Sequence, residues 1–177
     1  MKTFVATHQL LLPTPLGEMR LAVSEHGLAG AWFTTNQRHV PDAAGHLPQA
    51  PEHPLLNRAA EQLHAYFAGQ RSRFELPLDL SSGTAFQQAV WAALQAIEFG
   101  ATCSYRAVAI AIGRPSAVRA VGLAIGRNPV SLIVPCHRVV GADGQLTGYG
   151  GGLDRKIALL ELERRDADTS TATPVAA

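Results

Sequence analysis

The sequence predicts a two-part α/β protein of the α+β kind: a small sheet with one helix, then a mainly helical part containing a helix-turn-helix. Three observations carry that prediction. Glu18 to Ser24 alternates apolar and polar residues, and apolar runs stand at Leu10-Leu11-Leu12 and Leu28 to Phe33, as expected of short strands. After Ser81-Ser82-Gly83 the apolar spacing becomes helical, with Phe86, Val90, Leu94 and Ile97 on one stripe. Two short helical segments then flank Gly113-Arg114-Pro115-Ser116, the layout of a helix-turn-helix.

Taken in order, residues 4 to 34 read as a meander of strands, broken by Pro13 and a turn at Gly27. Residues 35 to 53 are polar, rich in Pro and His and without a period, hence a loop. Its histidines (His39, His46, His53) lack metal-ligand spacing and a nearby cysteine. Leu55 to Phe67 has helical spacing and stops at Gly69, and Arg73 to Leu80 can add one more strand. Thr84 with Gln87 three residues later is a capping-box signature for a helix that ends at Gly100. Tyr105 to Ile112 and Ala117 to Ile125 are the paired short helices, and Asn128-Pro129 breaks the second. Ser131 to Val134 is a buried run leading into Pro135-Cys136-His137-Arg138-Val139, Gly148 to Gly152 a glycine-rich loop, and Leu153 to Arg165 the last helix. The expected division is 1–80, 84–165 and a disordered tail over 166–177.

Composition excludes several classes. With 47% hydrophobic and 16% charged residues, the chain is globular rather than disordered. No apolar run approaches the roughly 18 residues a membrane span needs. Met1-Lys2-Thr3-Phe4 has no signal-peptide pattern, so the expected location is the cytoplasm. Two cysteines, Cys103 and Cys136, are too few for a disulfide framework or a zinc site. The net charge of +1 is unevenly spread: Phe99 to Ala142 holds Arg106, Arg114, Arg119, Arg127 and Arg138 and no acid, between acidic ends. Such a segment suits a polyanion, although chance clustering gives the same count.

The second short helix, Ala117-Val118-Arg119-Ala120-Val121-Gly122-Leu123-Ala124-Ile125, offers one long polar side chain among small residues. A helix that reads base edges in the major groove carries several. Small residues and a single cation suit a protein that binds phosphate and minor groove and distorts the duplex; a buried helix of an ordinary bundle fits the same segment. Cys136 is a nucleophile only as a thiolate, which requires a base or cation nearby. His137 is the adjacent base. In an extended strand the two side chains would point apart, so either the backbone turns after Pro135 or a water relays the proton. A buried inert thiol is the competing reading. Glu163 falls between Leu159 and Leu160 on the last helix, where a carboxylate needs a partner; it either orients His137 or pairs with Lys156 or Arg164 in solvent.

Pro135-Cys136-His137-Arg138-Val139, with Asn128-Pro129 before it and Gly148-Tyr149 after it, closely resembles the O6-alkylguanine-DNA alkyltransferase family. The resemblance runs from Gly83 to Glu163 through Phe86-Gln87, Val90-Trp91, Ser104-Tyr105 and Arg119-Ala120-Val121-Gly122, and more weakly into Thr14-Pro15-Leu16-Gly17 and Gly27-Leu28. It implies a ribonuclease-H-like N-terminal part and single-turnover repair: an alkylated guanine, or an O4-alkylated thymine, is flipped out and its alkyl group passes irreversibly to Cys136. By the same resemblance His137 is the base acting through a water, Glu163 holds His137, Asn128 braces the turn, and Tyr105 pushes on the phosphate and contacts the base. Arg119 fills the gap in the duplex, with Tyr105, Arg106, Arg114, Ala117 and Gly122 as further DNA contacts. Tyr149, Val139, Gly150 and Ser131 line the pocket. The implied partner is duplex DNA containing alkylated bases, bound by a monomer, with cooperative assembly on DNA left open and no cofactor.

Departures from the family pattern are few. Some members hold zinc in the N-terminal part through cysteines; none precedes Cys103 here, so no metal is expected. Glu98-Phe99 replaces the usual Pro-Tyr, and Ile125 a frequent Asn. Cys103 reads as structural. Two other classes compete, a damage-binding relative that transfers nothing and a Cys-His-Glu hydrolase that turns over. Cys136 argues against the first, the helix-turn-helix and arginines against the second. A sequence-reading regulator is disfavoured by the bare second helix.

Overall fold

The computed structural model describes residues 5–171. Phe4, where the predicted meander begins, and tail positions 172–177 lie outside the described residues. Strands β1 (His8–Leu12), β2 (Met19–Ser24) and β3 (Gly27–Phe33) form an antiparallel sheet in that order, with an irregular register between Ala22 and Val23. Every residue of β3 is buried, because both sheet faces are covered. On one side Trp32 and Ala22 pack with Ala44 of a short 3-10 helix, Asp42–His46, inside the segment expected to be loop. The other face joins the main core with Leu56, Leu63 and Tyr66 of helix α1 (Pro54–Phe67).

No strand forms over Arg73 to Leu80, contrary to the sequence expectation; only an isolated bridge joins Leu78 to Leu28. Pro77 has no N–H to give a ladder, although its carbonyl accepts from Leu28 N at 2.8 Å. The approach is close enough to exclude a side chain at Gly27, whose φ is +154° and whose hypothetical Cβ would lie 2.5 Å from the Pro77 oxygen.

Helix α2 (Ala85–Gln95) starts from the predicted capping box: Gln87 N donates to Thr84 Oγ1, and Thr84 N to Gln87 Oε1. The parallel pair β4 (Cys103–Ser104) and β5 (Val139–Val140) ties the segment after Cys136 to the start of helix α3 (Tyr105–Ala111). Ser104 caps α3 by accepting from Ala107 N. At the other end Gly113 N donates to Ile110 O and Arg114 N to Ala109 O, a Schellman closure that leads into α4 (Val118–Gly126). Together α3 and α4 make the helix-turn-helix.

The last helix, α5 (Leu153–Thr171), runs beyond the expected end at Arg165, so over 166–171 a helix replaces the predicted disordered tail. A helix already seeded on a packed face propagates cheaply through weak formers. The two parts of the chain share one hydrophobic core, from Leu12 and Phe33 through Trp91 and Val121 to Leu159. They also meet through backbone, where Ala31 N donates to Pro129 O and Ser131 N to Ala31 O.

Candidate active site

The chain leaves α4 at Arg127 and tightens at once. Asn128 Oδ1 accepts from Val130 N at 3.1 Å, while its Nδ2 donates to Val134 O at 2.8 Å and to Cys136 Sγ at 3.1 Å. One buried amide thus staples the turn and touches the sulfur. Leu132 takes a φ of +73° inside it. The backbone then turns after Pro135, and Cys136–Arg138 form a 3-10 helix, while the Cys136 sulfur meets Asn128 and the His137 ring meets Glu163.

His137 is fully buried, and its Nε2 meets Glu163 Oε1 at 2.8 Å; Nδ1 is buried without a protein partner. Glu163 is therefore no solvated end-of-helix carboxylate, and neither Lys156 nor Arg164 pairs with it. Arg138 grips it with two bonds, Nε to Oε2 at 2.9 Å and Nη2 to Oε1 at 3.0 Å. Tyr66 OH donates to Oε1 at 2.7 Å and Gly100 N to Oε2 at 3.2 Å. Burial pushes this carboxyl up, but the bonds from His137 and Arg138 outweigh it and hold it down at about 2. Arg138 is thereby spent inside the protein, with a further bond to Ile97 O, and leaves the basic footprint to Arg106, Arg114, Arg119 and Arg127, all exposed.

Cys136 is almost wholly buried. Burial raises its pKa; the Asn128 hydrogen bond and the Lys156 charge pull the other way. His137 is lowered by burial, against the opposing pull of Glu163. The resting pair is therefore a thiol beside a neutral imidazole. Lys156 is fully buried, and its ammonium donates to Val139 O at 2.6 Å and Thr147 O at 2.9 Å.

A cavity of about 500 Å³ opens over the sulfur, bordered by Cys136, Tyr105 from α3, Gly122 and Leu123 from α4, and Tyr149 and Gly150 from the glycine loop. Tyr105 OH accepts from Thr147 Oγ1 at 3.0 Å. The Tyr149 ring stands edge-on to His137, centroids 6.5 Å apart. Of the predicted site residues, Cys136, Tyr105, Gly122, Tyr149 and Gly150 come together here, with His137, Glu163 and Asn128 behind the sulfur. Arg119 is exposed on α4, Arg106 on α3 and Arg114 in the turn, and Ala117 is half-buried at the start of α4. Val139 and Ser131 are buried and do not border the cavity: the Val139 carbonyl is taken by Lys156, and Ser131 Oγ accepts from Gln37 Nε2 at 3.1 Å. Cys103 is half-buried in β4.

Sequence reasoning missed Arg138 as a partner of Glu163 and missed Tyr66 entirely, and it weighed Lys156 only as a solvent partner of Glu163, not as a buried ammonium. For Lys156 a signal was present, since Lys156, Leu159 and Glu163 recur at the three- and four-residue spacing of one helix face. Among the described residues no group of three His, Cys, Asp or Glu could hold a metal ion, and no helix is long and apolar enough to cross a membrane.

Two family models match, the ribonuclease-like domain of 6-O-methylguanine DNA methyltransferase over residues 8–80 and its DNA binding domain over 85–165. A methylated-DNA–protein-cysteine methyltransferase of Mycobacterium leprae is 48% identical over 163 residues, 92% of this chain and 96% of its own. The one from Methanosarcina barkeri is 43% identical over 88% of this chain and 96% of its own. The crystal structure of Mycobacterium tuberculosis OGT in complex with DNA superposes with a TM-score of 0.81 at 46% identity, covering 90% of this chain and 94% of that one. With its fold, its buried Cys136 and these similarities over nearly the whole length, the chain belongs to the methylated-DNA–protein-cysteine methyltransferase family.

Proposed function

We propose that this protein repairs DNA by direct reversal, accepting the alkyl group of an O6-alkylguanine irreversibly on Cys136. The observation that carries the reading is the placement of the Cys136 sulfur at a cavity whose border includes residues of α4, the second helix of the helix-turn-helix. A base inside a duplex is out of reach of a buried sulfur, so the nucleotide is rotated out of the stack, at a cost of only a few kcal/mol. Tyr105 and Tyr149 supply the walls for the flipped ring. Arg119 enters the space left behind, and Arg106, Arg114, Ala117 and Gly122 meet the backbone. The N-terminal part over 1–80 supports the acceptor part over 84–165. The protein acts inside the cell and as a monomer, binding O4-alkylthymine by the same route.

The chemistry is one displacement. The Cys136 proton passes to His137, through a water on the unpartnered Nδ1, and Glu163 stabilises the imidazolium that results. Sulfur attacks the alkyl carbon, the S–C bond forms as the C–O6 bond breaks, and the electron pair leaves with the guanine. Tyr105 gives its hydroxyl proton to that leaving group and recovers one as His137 releases its own. The product is a thioether with no hydrolytic exit, so each molecule acts once. Val139 and Ser131 serve behind the cavity wall, Val139 through the carbonyl that fixes Lys156.

The test is mass spectrometry of the protein after incubation with a duplex containing one O6-methylguanine. One methyl group on the Cys136 peptide, saturating at one per molecule, is expected. Continued release of product would point to a hydrolase, and tight binding without added mass to a damage-binding protein.

A further inference from the structure

Glu163 gathers five donors: His137, two nitrogens of Arg138, the Gly100 N–H and the Tyr66 hydroxyl. Four come from the helical part of the chain. Tyr66 comes from α1, in the ribonuclease-like part, and its bond of 2.7 Å falls on Oε1, the oxygen that also meets His137. Its ring is fixed independently of that bond. Phe67, Phe74 and Phe99 surround it with centroids 5.4, 5.4 and 6.0 Å away, and the residue is fully buried. The hydroxyl holds its proton throughout the working range, because burial, and then the Glu163 charge, raise its pKa. It is therefore a permanent donor.

Building on the alkyl-transfer reading above, we propose that Tyr66 is a positioning residue that restrains Cys136 by drawing charge from the Glu163 oxygen facing His137. A carboxylate that already accepts from one donor is a weaker base towards the next, because each hydrogen bond to the charged form favours that form. With Tyr66 in place, Oε1 stabilises imidazolium only in part, His137 stays neutral at rest, and Cys136 stays a thiol until substrate arrives. Without it, Oε1 offers its full basicity to His137 and the thiolate–imidazolium pair becomes easier to form. Glu163 itself stays ionised on its four remaining donors. The other charged and titratable groups around the relay are Arg138, Lys156, Cys136 and Tyr149, and a Tyr66→Phe change leaves all of them in place. The N-terminal part would thus set the resting reactivity of a nucleophile it does not carry.

The test is Tyr66→Phe, which keeps the ring among its three neighbours. Alkylation of Cys136 by iodoacetamide, followed on its own peptide so that Cys103 does not interfere, is measured against pH without DNA. The midpoint is expected to move down by about half a unit, about a threefold faster reaction at pH 7 on the scale of tenfold per unit. An unchanged or raised midpoint would overturn the proposal, also where Tm falls, because that is what a purely structural hydroxyl gives. Phe74→Leu, which loosens the ring but keeps the hydroxyl, is expected to lower Tm without moving the midpoint; a midpoint shift there equal to that of Tyr66→Phe would likewise overturn it. Methyl transfer from O6-methylguanine DNA is measured separately on the unaltered protein, so failure of the alkyl-transfer reading is distinguishable from failure of this one.

Discussion

At the residue scale, Glu163 has the strongest consequences, because it is a buried charge with every lone pair engaged. A carboxyl held at about 2 against an ordinary 4.5 stabilises the fold fully above 4.5 and loses that contribution as pH falls towards 2. At about 1.36 kcal/mol per unit the whole step is on the order of 3 kcal/mol. His137 acts earlier. Burial lowers its folded pKa, so below its ordinary 6.5 the unfolded chain binds a proton that the folded chain refuses. Asp79 adds to the lower window: burial raises it, but the Ser24 hydroxyl at 2.5 Å and Ser81 N at 3.0 Å hold it down. Thermal melts across pH are thus expected to fall in two stages, one below 6.5 and one between 4.5 and 2. Glu163→Gln is expected to shrink the second stage without abolishing it. It should also cost about 3–5 kcal/mol at neutral pH, because Arg138 is left buried without its counter-charge. An undiminished lower stage in that variant would assign the acid sensitivity to other carboxylates.

At the scale of elements, legibility followed the range of the interactions involved. The capping box at Thr84 and the turn between α3 and α4 depend on neighbours within a few residues, and the sequence displays them. The supposed strand over Arg73 to Leu80 failed because Pro77 lacks the N–H that pairing requires. The end of α5 was misplaced because Asp, Thr and Ser are weak helix formers only until packing sets the first turns. Cys136, His137 and Glu163 were legible through the resemblance, whereas the contacts of Tyr66, Gly100 and Arg138 with Glu163 span separations that no local pattern encodes. The glycine loop shows the same limit. Gly151 is flush against the other part of the chain, and a Cβ there would lie 2.8 Å from the Tyr149 ring, 3.1 Å from Gln37 Oε1 and 3.1 Å from Phe33. Tyr149 borders the cavity, so Gly151→Ala is expected to push it inward. Stability should fall by about 1–3 kcal/mol, as overpacking does, and methyl transfer should slow less than transfer of a bulky benzyl group. Equal slowing of both would mean that the loop does not set the space available to the alkyl group.

At the scale of the molecule, two matched segments raise the question of whether there are two folding units. The core argues for one, since Phe33, Leu63, Trp91, Val121, Val134 and Leu159 belong to a single cluster. Further ties cross between the parts. Ala31 exchanges backbone bonds with Pro129 and Ser131, Tyr66 reaches Glu163, and Gln37 reaches Ser131. Arg155 donates to Leu16 O at 2.9 Å and Thr35 O at 2.8 Å while its guanidinium lies 4.1 Å over the Phe33 ring. Separating the parts would expose apolar surface on both and leave the buried Glu163 one donor short, so neither has a comfortable state without the other. Calorimetry is therefore expected to show one transition, with calorimetric and van't Hoff enthalpies equal. At about 0.7 kcal/mol per residue near 60 °C the enthalpy should be about 120 kcal/mol. Two resolved transitions, or a van't Hoff enthalpy near half the calorimetric one, would mean that the shared core is an interface between independent units. The ties to Tyr66 and Gln37 could then open while the Cys136 part stayed folded, and the N-terminal part would lose its hold on the thiol.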